Sequence, residues 1–441
     1  MVRIPNQTAI QESGRAEEFQ MTAQEGVAAT ADGNDATARA ARGERLRLYL
    51  GGQASWYVSL GIQFVIFPFL VTQVLHEPAS RLGIAQMSLM APSLAFMLLG
   101  GTTADHGDVR RILIRVHLLA AVPPLALAAV YLSGHLSYGF LIAYALAMGT
   151  LGAFAMPARD SALTRIAETG IQQAVTLAMG TQMGGQLVGM LFAACAAIVG
   201  APGLLFFQFA MLLGGCWATT KLQPLPPAHT GSGESRFAQI LDGIATARAH
   251  TIAFAVIGLN FAVGLFYVGS FMVVLPLMVR DVYHSTVSEF AVKFALINIS
   301  FWGGTILATV ALLKIGHIVR RGRVMMGAIT SGLVILTLLS LTMPFPVLCL
   351  LCCLWGVGAG TTMTMGRTIV QLAAPPSHRA RVLALYQLGF SGGAPIGSLV
   401  MGFLVGGLGI HAAVLVPAGV MAVILVLLFL SPIWHYRAEE A

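Results

Sequence analysis

The stretch GTTADHGDVRRILI, residues 101–114, sets Asp105, His106 and Asp108 a few positions from Arg110 and Arg111, with apolar segments on both sides. Two kinds of chemistry are open to such a set. A histidine between two carboxylates could supply the base or metal ligands of a membrane-embedded enzyme, if further reactive groups join it. A carboxylate beside guanidinium groups could instead form an ion pair that makes and breaks as two parts of a protein move. The rest of the chain offers little for the first option. Cys349, Cys352 and Cys353 form a CxxC-like cluster. A metal site needs further His or Cys ligands at suitable spacing, and none is near, so these thiols read as small buried side chains. A nucleotide-binding loop needs Gly-Lys before Ser or Thr, whereas Lys221, Lys293 and Lys314 follow Thr220, Val292 and Leu313. No catalytic residue, metal site or cofactor is assigned, and an enzyme is not expected.

A second polar set stands inside apolar runs: Gln63, Gln182, Gln186, Asn260, Tyr267, Asn298 and Trp302. Such side chains can contact a small-molecule substrate near the middle of a membrane, or act as hydrogen-bonding glue between helices. Lys293 could meet an anion, or snorkel to the interface beside Glu289 four residues earlier. No Asp or Glu falls in the middle of an apolar run. A carrier of bulky cations would place a carboxylate there, so a neutral or anionic substrate is favoured. Arg115 and His117 are further titratable groups at a membrane edge; His117 could carry a proton or be packed in the core.

The elements that position these residues must be membrane helices. The chain has 441 residues, of which 57% are hydrophobic and 10% charged, and its mean hydropathy is +0.80. A soluble surface needs more charge than that. Runs long enough to span recur, among them Ser55–Leu75, Leu82–Ala104, Leu136–Met156, Leu205–Leu222, Thr251–Val279 and Ala412–Leu430, and twelve spans fit between Ala54 and Leu430. Lipid requires each to be helical, because unpaired backbone amides cost several kcal/mol there. The first 45 residues lack an apolar core and read as a disordered cytoplasmic tail, with Ala36–Leu50 able to form a basic helix leading into the first span. Of the 25 Lys and Arg, only Arg81, Arg280 and Lys293 fall on the far side when both termini are cytoplasmic. That bias fixes the orientation. The basic pI follows from it and from attraction to anionic lipid, so nucleic acid is not an expected partner.

The chain reads as two copies of one unit. Residues 46–222 would form an N-terminal six-helix bundle and 251–431 a C-terminal one, with 432–441 as a cytoplasmic tail. Between the bundles, 223–250 is a linker: Pro224, Pro226 and Pro227 stop the sixth span, and Phe237, Ile240, Leu241 and Ile244 recur at helical spacing. That amphipathic helix would lie on the membrane face or pack on the protein's own loops. An offset of 208 relates Arg159 to Arg367, Gly152 to Gly360, Gly184 to Gly392, Gly185 to Gly393 and Gly189 to Gly397.

With these residues in place, GTTADHGDVRRILI resembles the signature loop between the second and third spans of the major facilitator superfamily, matching it at Gly101, Ala104, Asp105, Arg110 and Arg111. His106 stands where an Arg is usual. The stretches MPARDSALTRIAETGIQQAVTLAMG (156–180) and QLAAPPSHRARVLALYQLGFSGGAPIGSLVMG (371–402) look like the branch of bacterial enterobactin-type siderophore exporters. The resemblance covers nearly all of 45–432. It implies an all-α membrane protein with twelve transmembrane helices in two pseudo-symmetric bundles. It also implies a secondary transporter in the bacterial inner membrane that exports a small amphiphilic molecule, siderophore or drug-like, with protons as coupling ion, surrounded by lipid and acting as a monomer. An importer of a nutrient or anion on the same scaffold is the alternative. The antiporter-type pattern of the fifth span carries Gly-Pro and then Gly; here Gly180, Gly184, Gly185 and Gly189 occur without proline, while Pro395 stands in the eleventh.

The cytoplasmic gate implied by the resemblance comprises Gly101, Asp105, Arg110, Arg111 and Arg159, with Arg379 and Arg381 in the second half. Asp105 would pair with one of the first-half arginines when that mouth is shut. The segment KIGHIVRRGR (314–323) looks like a degenerate second copy that keeps Arg320, Arg321 and Arg323 but no acid, so the latch would rest on Asp105 alone.

Overall fold

The computed structural model describes residues 43–167, 170–225, 236–316, 318–375, 378–431 and 434; the side chains of Asp105 and His106 fall outside that set. The described residues form helices and no strand. Six long helices come first: α1 (Gly43–Val74), α2 (Ala79–His106), α3 (Val109–Leu132), α4 (Tyr138–Ile166), α5 (Ile171–Ala194) and α6 (Ala196–Thr220). The short α7 (Arg236–Ala249) follows. Six more complete the chain: α8 (Thr251–Val282), α9 (Val287–Ile315), α10 (Arg321–Leu338), α11 (Phe345–Ala373), α12 (Arg379–Leu408) and α13 (Ile410–Phe429). Side chains cap two of their N-termini. The Asp108 carboxylate caps α3 by accepting from Arg110 N–H, and Thr286 and Glu289 form a capping box on α9.

Ten of these helices are long and apolar enough to cross a membrane. The two remaining long ones, α2 and α5, run 28 and 24 residues but carry more amides and hydroxyls, including Gln86, Ser88 and Ser93 on α2 and Gln172, Gln173, Gln182 and Gln186 on α5. Composition is relaxed on these helices because part of each faces a central cavity rather than lipid.

The halves are built alike. Within the first, α2 packs on α4 and α3 on α6; within the second, α9 packs on α11 and α10 on α13. Gly61 of α1 meets Gly189 of α5 with a Cβ-to-Cα separation of 3.0 Å, and at the 208 offset Gly269 of α8 meets Gly397 of α12 at 2.7 Å, taking a Cβ built on the first glycine of each pair. Only glycine permits helix backbones this close. The same offset governs finer detail. π-helical turns close α1 at Leu70–Val74 and α8 at Met278–Val282, and each is followed by a histidine with positive φ, His76 at 51° and His284 at 43°. Glu77 N–H donates to Val71 O and Ser285 N–H to Val279 O.

Because the helices alternate in direction, α7 and the loops after α2, α4, α9 and α11 gather at one end, and the α1–α2 and α8–α9 turns at the other, the far end. The halves meet through α2 on α12 and α5 on α9. At the far end this contact is tight. A Cβ on Gly83 would lie 2.9 Å from Gly402 Cα, the tilted rings of Phe69 and Phe290 pack with centroids 5.8 Å apart, and Arg280 Nη1 donates to Glu77 O at 2.8 Å.

The linker helix packs on the protein itself. Asp242 pairs with Arg381 at the start of α12 and lies 3.5 Å from His378 Nε2, while a Cβ on Gly243 would sit 3.3 Å from Arg381 O. The side chains of Phe237, Ile240 and Leu241 are outside the described residues.

Candidate substrate cavity

A cavity of about 360 Å³ lies between the halves. From α1 it takes Trp56, Tyr57, Ser59 and Gln63, from α2 Gln86 and Ser93, from α4 Met148, Gly149 and Arg159, and from α5 Gln182 and Gln186. The second half contributes Met272, Trp302, Gln387, Phe390 and Ser391. From Met148 to Arg159 the wall follows α4 for roughly 16 Å at 1.5 Å per residue. The lining is therefore aromatic and apolar, dotted with amides and hydroxyls, the usual make-up of a small-molecule site.

Of the substrate-pathway residues expected from sequence, Gln63, Gln182, Gln186 and Trp302 line this cavity. Gln63 is held from behind, its Oε1 accepting from Gln208 Nε2 at 3.5 Å and from Tyr144 Oη at 3.4 Å. The other four do not line it. Asn260 donates to Tyr386 O at 2.8 Å, Tyr267 donates to Ile329 O at 2.8 Å, and Asn298 donates to Phe294 O one turn back. Lys293 pairs with Glu289 at 3.2 Å and donates to Ser285 Oγ. The interhelical-glue reading describes Asn260 and Tyr267 and the snorkelling reading Lys293, while Asn298 bonds within its own helix and its Oδ1 is buried without a partner among the described residues. His117 is packed behind Trp56, ring edge to ring face at 5.6 Å, with its nitrogens on Leu113 O and Gly52 O.

The residues assigned to the gate divide into three groups. At the α2–α3 loop, Arg111 pairs with Asp108 at 3.4 Å and Arg110 donates to Thr220 O. Gly101 is buried, while the close backbone approach to α4 falls on its neighbour Gly100, where a Cβ would overlap Ala153 O. The proposed partner Asp105 lies near the C-terminal end of α2 and its side chain is outside the described residues. In the second half, Arg381 is engaged by Asp242, and Arg379 is exposed. Arg159 is different from both. It stands seven residues inside α4, only 6% exposed, with its guanidinium 4.4 Å from the Trp56 ring centroid and 5.1 Å from that of Tyr57. Its position is in the cavity wall and its neighbours are rings, whereas the resemblance implies a gate residue able to pair with Asp105.

Asp108 has a role that its sequence context did not suggest. Besides capping α3, Oδ1 accepts from Leu225 N–H at 3.1 Å, and Val109 N–H donates to Leu225 O, which also accepts from Arg165 Nη1. The loop thus holds the first residues after α6 in place. Asp108→Ala is expected to cost about 1–2 kcal/mol, from a lost cap and an orphaned Leu225 amide. It should lower the melting temperature of the purified protein, with Asp108→Asn recovering most of the loss.

Among the described residues, no three His, Cys, Asp or Glu side chains converge in a metal-ligating group. The five cysteines are free.

Two related helical halves around a central cavity are the architecture of a secondary transporter. The sequence matches the transmembrane secretion effector family of the major facilitator superfamily over residues 53–441, and the chain belongs to that family. Solved structures agree on the fold. The nucleoside transporter NupG superposes with a TM-score of 0.69 at 15% identity, covering 90% of this chain and 99% of that one. A D-xylose-proton symporter gives 0.65 at 16%, covering 87% and 96%. A bacterial homologue of the human lysosomal transporter Spinster, inward-facing and unoccupied, gives 0.64 at 13%, covering 88% and 95%. No curated protein sequence matches.

Proposed function

We propose that this protein exports a small amphiphilic molecule, siderophore or drug-like, across the bacterial inner membrane by alternating access, with protons as the coupling ion. The observation that carries this reading is the cavity between the halves, whose rings and amides suit an apolar body with a few polar groups. The family description, a secretion effector, supports the outward direction. Basic residues concentrate at the α7 end, which by the positive-inside rule makes that end cytoplasmic, with both chain termini there. The enterobactin-type branch, suggested by residues 156–180 and 371–402, belongs to this proposal, as does action as a monomer.

The test is metabolite profiling of medium from a deletion strain, followed by uptake into inverted membrane vesicles energised with a proton gradient. A compound missing from the medium and accumulated by the vesicles supports export. Accumulation in right-side-out vesicles or whole cells instead would favour an importer. Within this reading Asp105 clasps the cytoplasmic mouth together with the arginines around it. Asp105→Asn is expected to slow transport about tenfold, equivalent to about 1.4 kcal/mol of bias between the two states, while membrane insertion stays intact. Unchanged transport rates in vesicles would remove Asp105 from the gate.

A further inference from the structure

Among the described residues lining the cavity, none is Asp or Glu and Arg159 is the single basic one. That guanidinium is withdrawn from water, rests on the faces of Trp56 and Tyr57, and donates through Nε only to Ala155 O of its own helix, at 3.3 Å. Its Nη1 is buried without a hydrogen-bond partner. Asp160 follows it on α4, exposed and within electrostatic reach of both Arg159 and Arg367, yet pairs with neither among the described residues. A buried cation without a carboxylate is costly to maintain, and ring faces offset only part of that cost.

Two more donors on the same wall are in the same condition. The Ser59 hydroxyl and Gln186 Nε2 are buried and unpartnered, and both residues line the cavity. Arg159 can only donate, and the other two can donate. Three residues of one wall thus hold unpaired donors just behind the cavity surface, with aromatic and methionine surface beside them, and a side-chain rotation would present them to an acceptor-rich head group on an apolar body.

The internal repeat sharpens the point. At the 208 offset Arg159 becomes Arg367, which is exposed. The ring platform Trp56–Tyr57 becomes Gly264–Leu265, Ser59 becomes Tyr267, Gln63 becomes Phe271, and Gln186 becomes Ala394. The halves share their helix order, although Val263–Val268 is a π-helical turn where 55–60 is α-helical, and only the first half carries this polar set.

We infer that Arg159, with Ser59 and Gln186, forms an anion-binding subsite in the central cavity, and that the transported molecule is an organic anion whose carboxylate or similar group docks on Arg159 with its apolar body along Trp56 and the methionines. This deepens the proposed transport reading and rests on that cavity being the substrate site.

Three probes with one body and different heads test it: 4-phenylbutyrate, 4-phenylbutyramide and 4-phenylbutylammonium, titrated calorimetrically into the full-length protein purified in a neutral detergent. The acid is expected to bind about tenfold more tightly than the amide, the size of one charge-assisted pair, and the ammonium more weakly still. Arg159→Gln should bring the acid down to the affinity of the amide and leave the amide unchanged, and Arg159→Lys should fall between. If Arg159→Gln does not fold, Ser59→Ala combined with Gln186→Leu should still weaken the acid more than the amide. Equal affinity of acid and amide in the unaltered protein, no binding by the acid, or a head-group preference that survives Arg159→Gln each overturns the subsite. No gradient is needed, so selective acid binding by a protein that does not export in vesicles would count against the export reading alone. Export of acid and amide at equal rates would count against the anion assignment alone.

Discussion

Gly397→Val is expected to prevent the protein from assembling. The position is on α12, where a Cβ would overlap the carbonyl oxygen of Leu265 on α8. The obstacle is backbone, so no side chain can rotate away. Both helices belong to the second half and are tied on either side: a Cβ on Gly393 would overlap Phe261 O, and one on Gly264 would lie 2.7 Å from Phe390 O. Forcing α8 and α12 apart would therefore open a long packed seam. Overpacking alone costs about 1–3 kcal/mol when side chains can yield, and backbone overlap exceeds that against a net stability of about 5–15 kcal/mol. A fluorescent fusion run on size-exclusion should lose its monodisperse peak. Gly406→Val provides the control: it lies on the same helix with nothing within 4 Å of the added Cβ, and it should behave as the unaltered chain.

That contrast also explains how much of the fold could be read from sequence. The 208 offset was visible in glycines, but glycine identity does not say which of them meets a neighbour. Gly185 and Gly189 contact α1, and Gly393 and Gly397 contact α8 at matching places, whereas Gly152 and Gly184 have nothing within 4 Å. A better signal lay in Val74-x-His76 and Val282-x-His284. Both histidines end a π turn with left-handed backbone, a conformation unfavourable for a residue bearing a Cβ. Two identical residues in that state at one offset mark a repeat more specifically than paired glycines do.

The cavity was half legible. Gln63, Gln182, Gln186 and Trp302 could be chosen because polar groups in lipid-spanning helices are costly and so must face something. Sequence does not say whether that something is a ligand or a carbonyl on the next helix. Asn260, Tyr267 and Asn298 face carbonyls. Arg159 falls in the gate set by resemblance, and a charge just past the apolar run Leu136–Met156 reads as interfacial. In fact α4 continues to Ile166, about 10 Å further at 1.5 Å per residue, which leaves the arginine inside the helix. Gln86 and Gln387 were overlooked altogether, although each is an amide within a spanning helix of the kind chosen elsewhere. The loop carboxylates were misread in a different way. Asp105 stands out through the motif, while Asp108, which caps α3 and holds Leu225, reads from sequence only as one of two carboxylates flanking His106.

Gly83→Leu is expected to leave the fold intact and stop transport, although its clash resembles that of Gly397→Val. A Cβ on Gly83 would lie 2.6 Å from Ser398 O and 2.9 Å from Gly402 Cα. Here the two helices, α2 and α12, belong to different halves. The seam they form is one that alternating access must open in every cycle, so the clash can be relieved by a movement the protein already makes. The added side chain should hold the far end apart and penalise the closed state without unfolding either bundle. A penalty of about 3 kcal/mol shifts a balanced two-state equilibrium by more than about 100-fold, and turnover should fall accordingly, while the melting temperature changes little because each half keeps its own core. In a background without the five native cysteines, a single cysteine at Ser391, on the cavity wall, reports the state. A membrane-impermeant maleimide applied from the far side should label it quickly in Gly83→Leu and slowly in the parent. Normal transport by this variant, or labelling only from the α7 side, would mean that the α2–α12 seam does not open during the cycle, and the rocking of the halves would have to be sought at α5 and α9 instead.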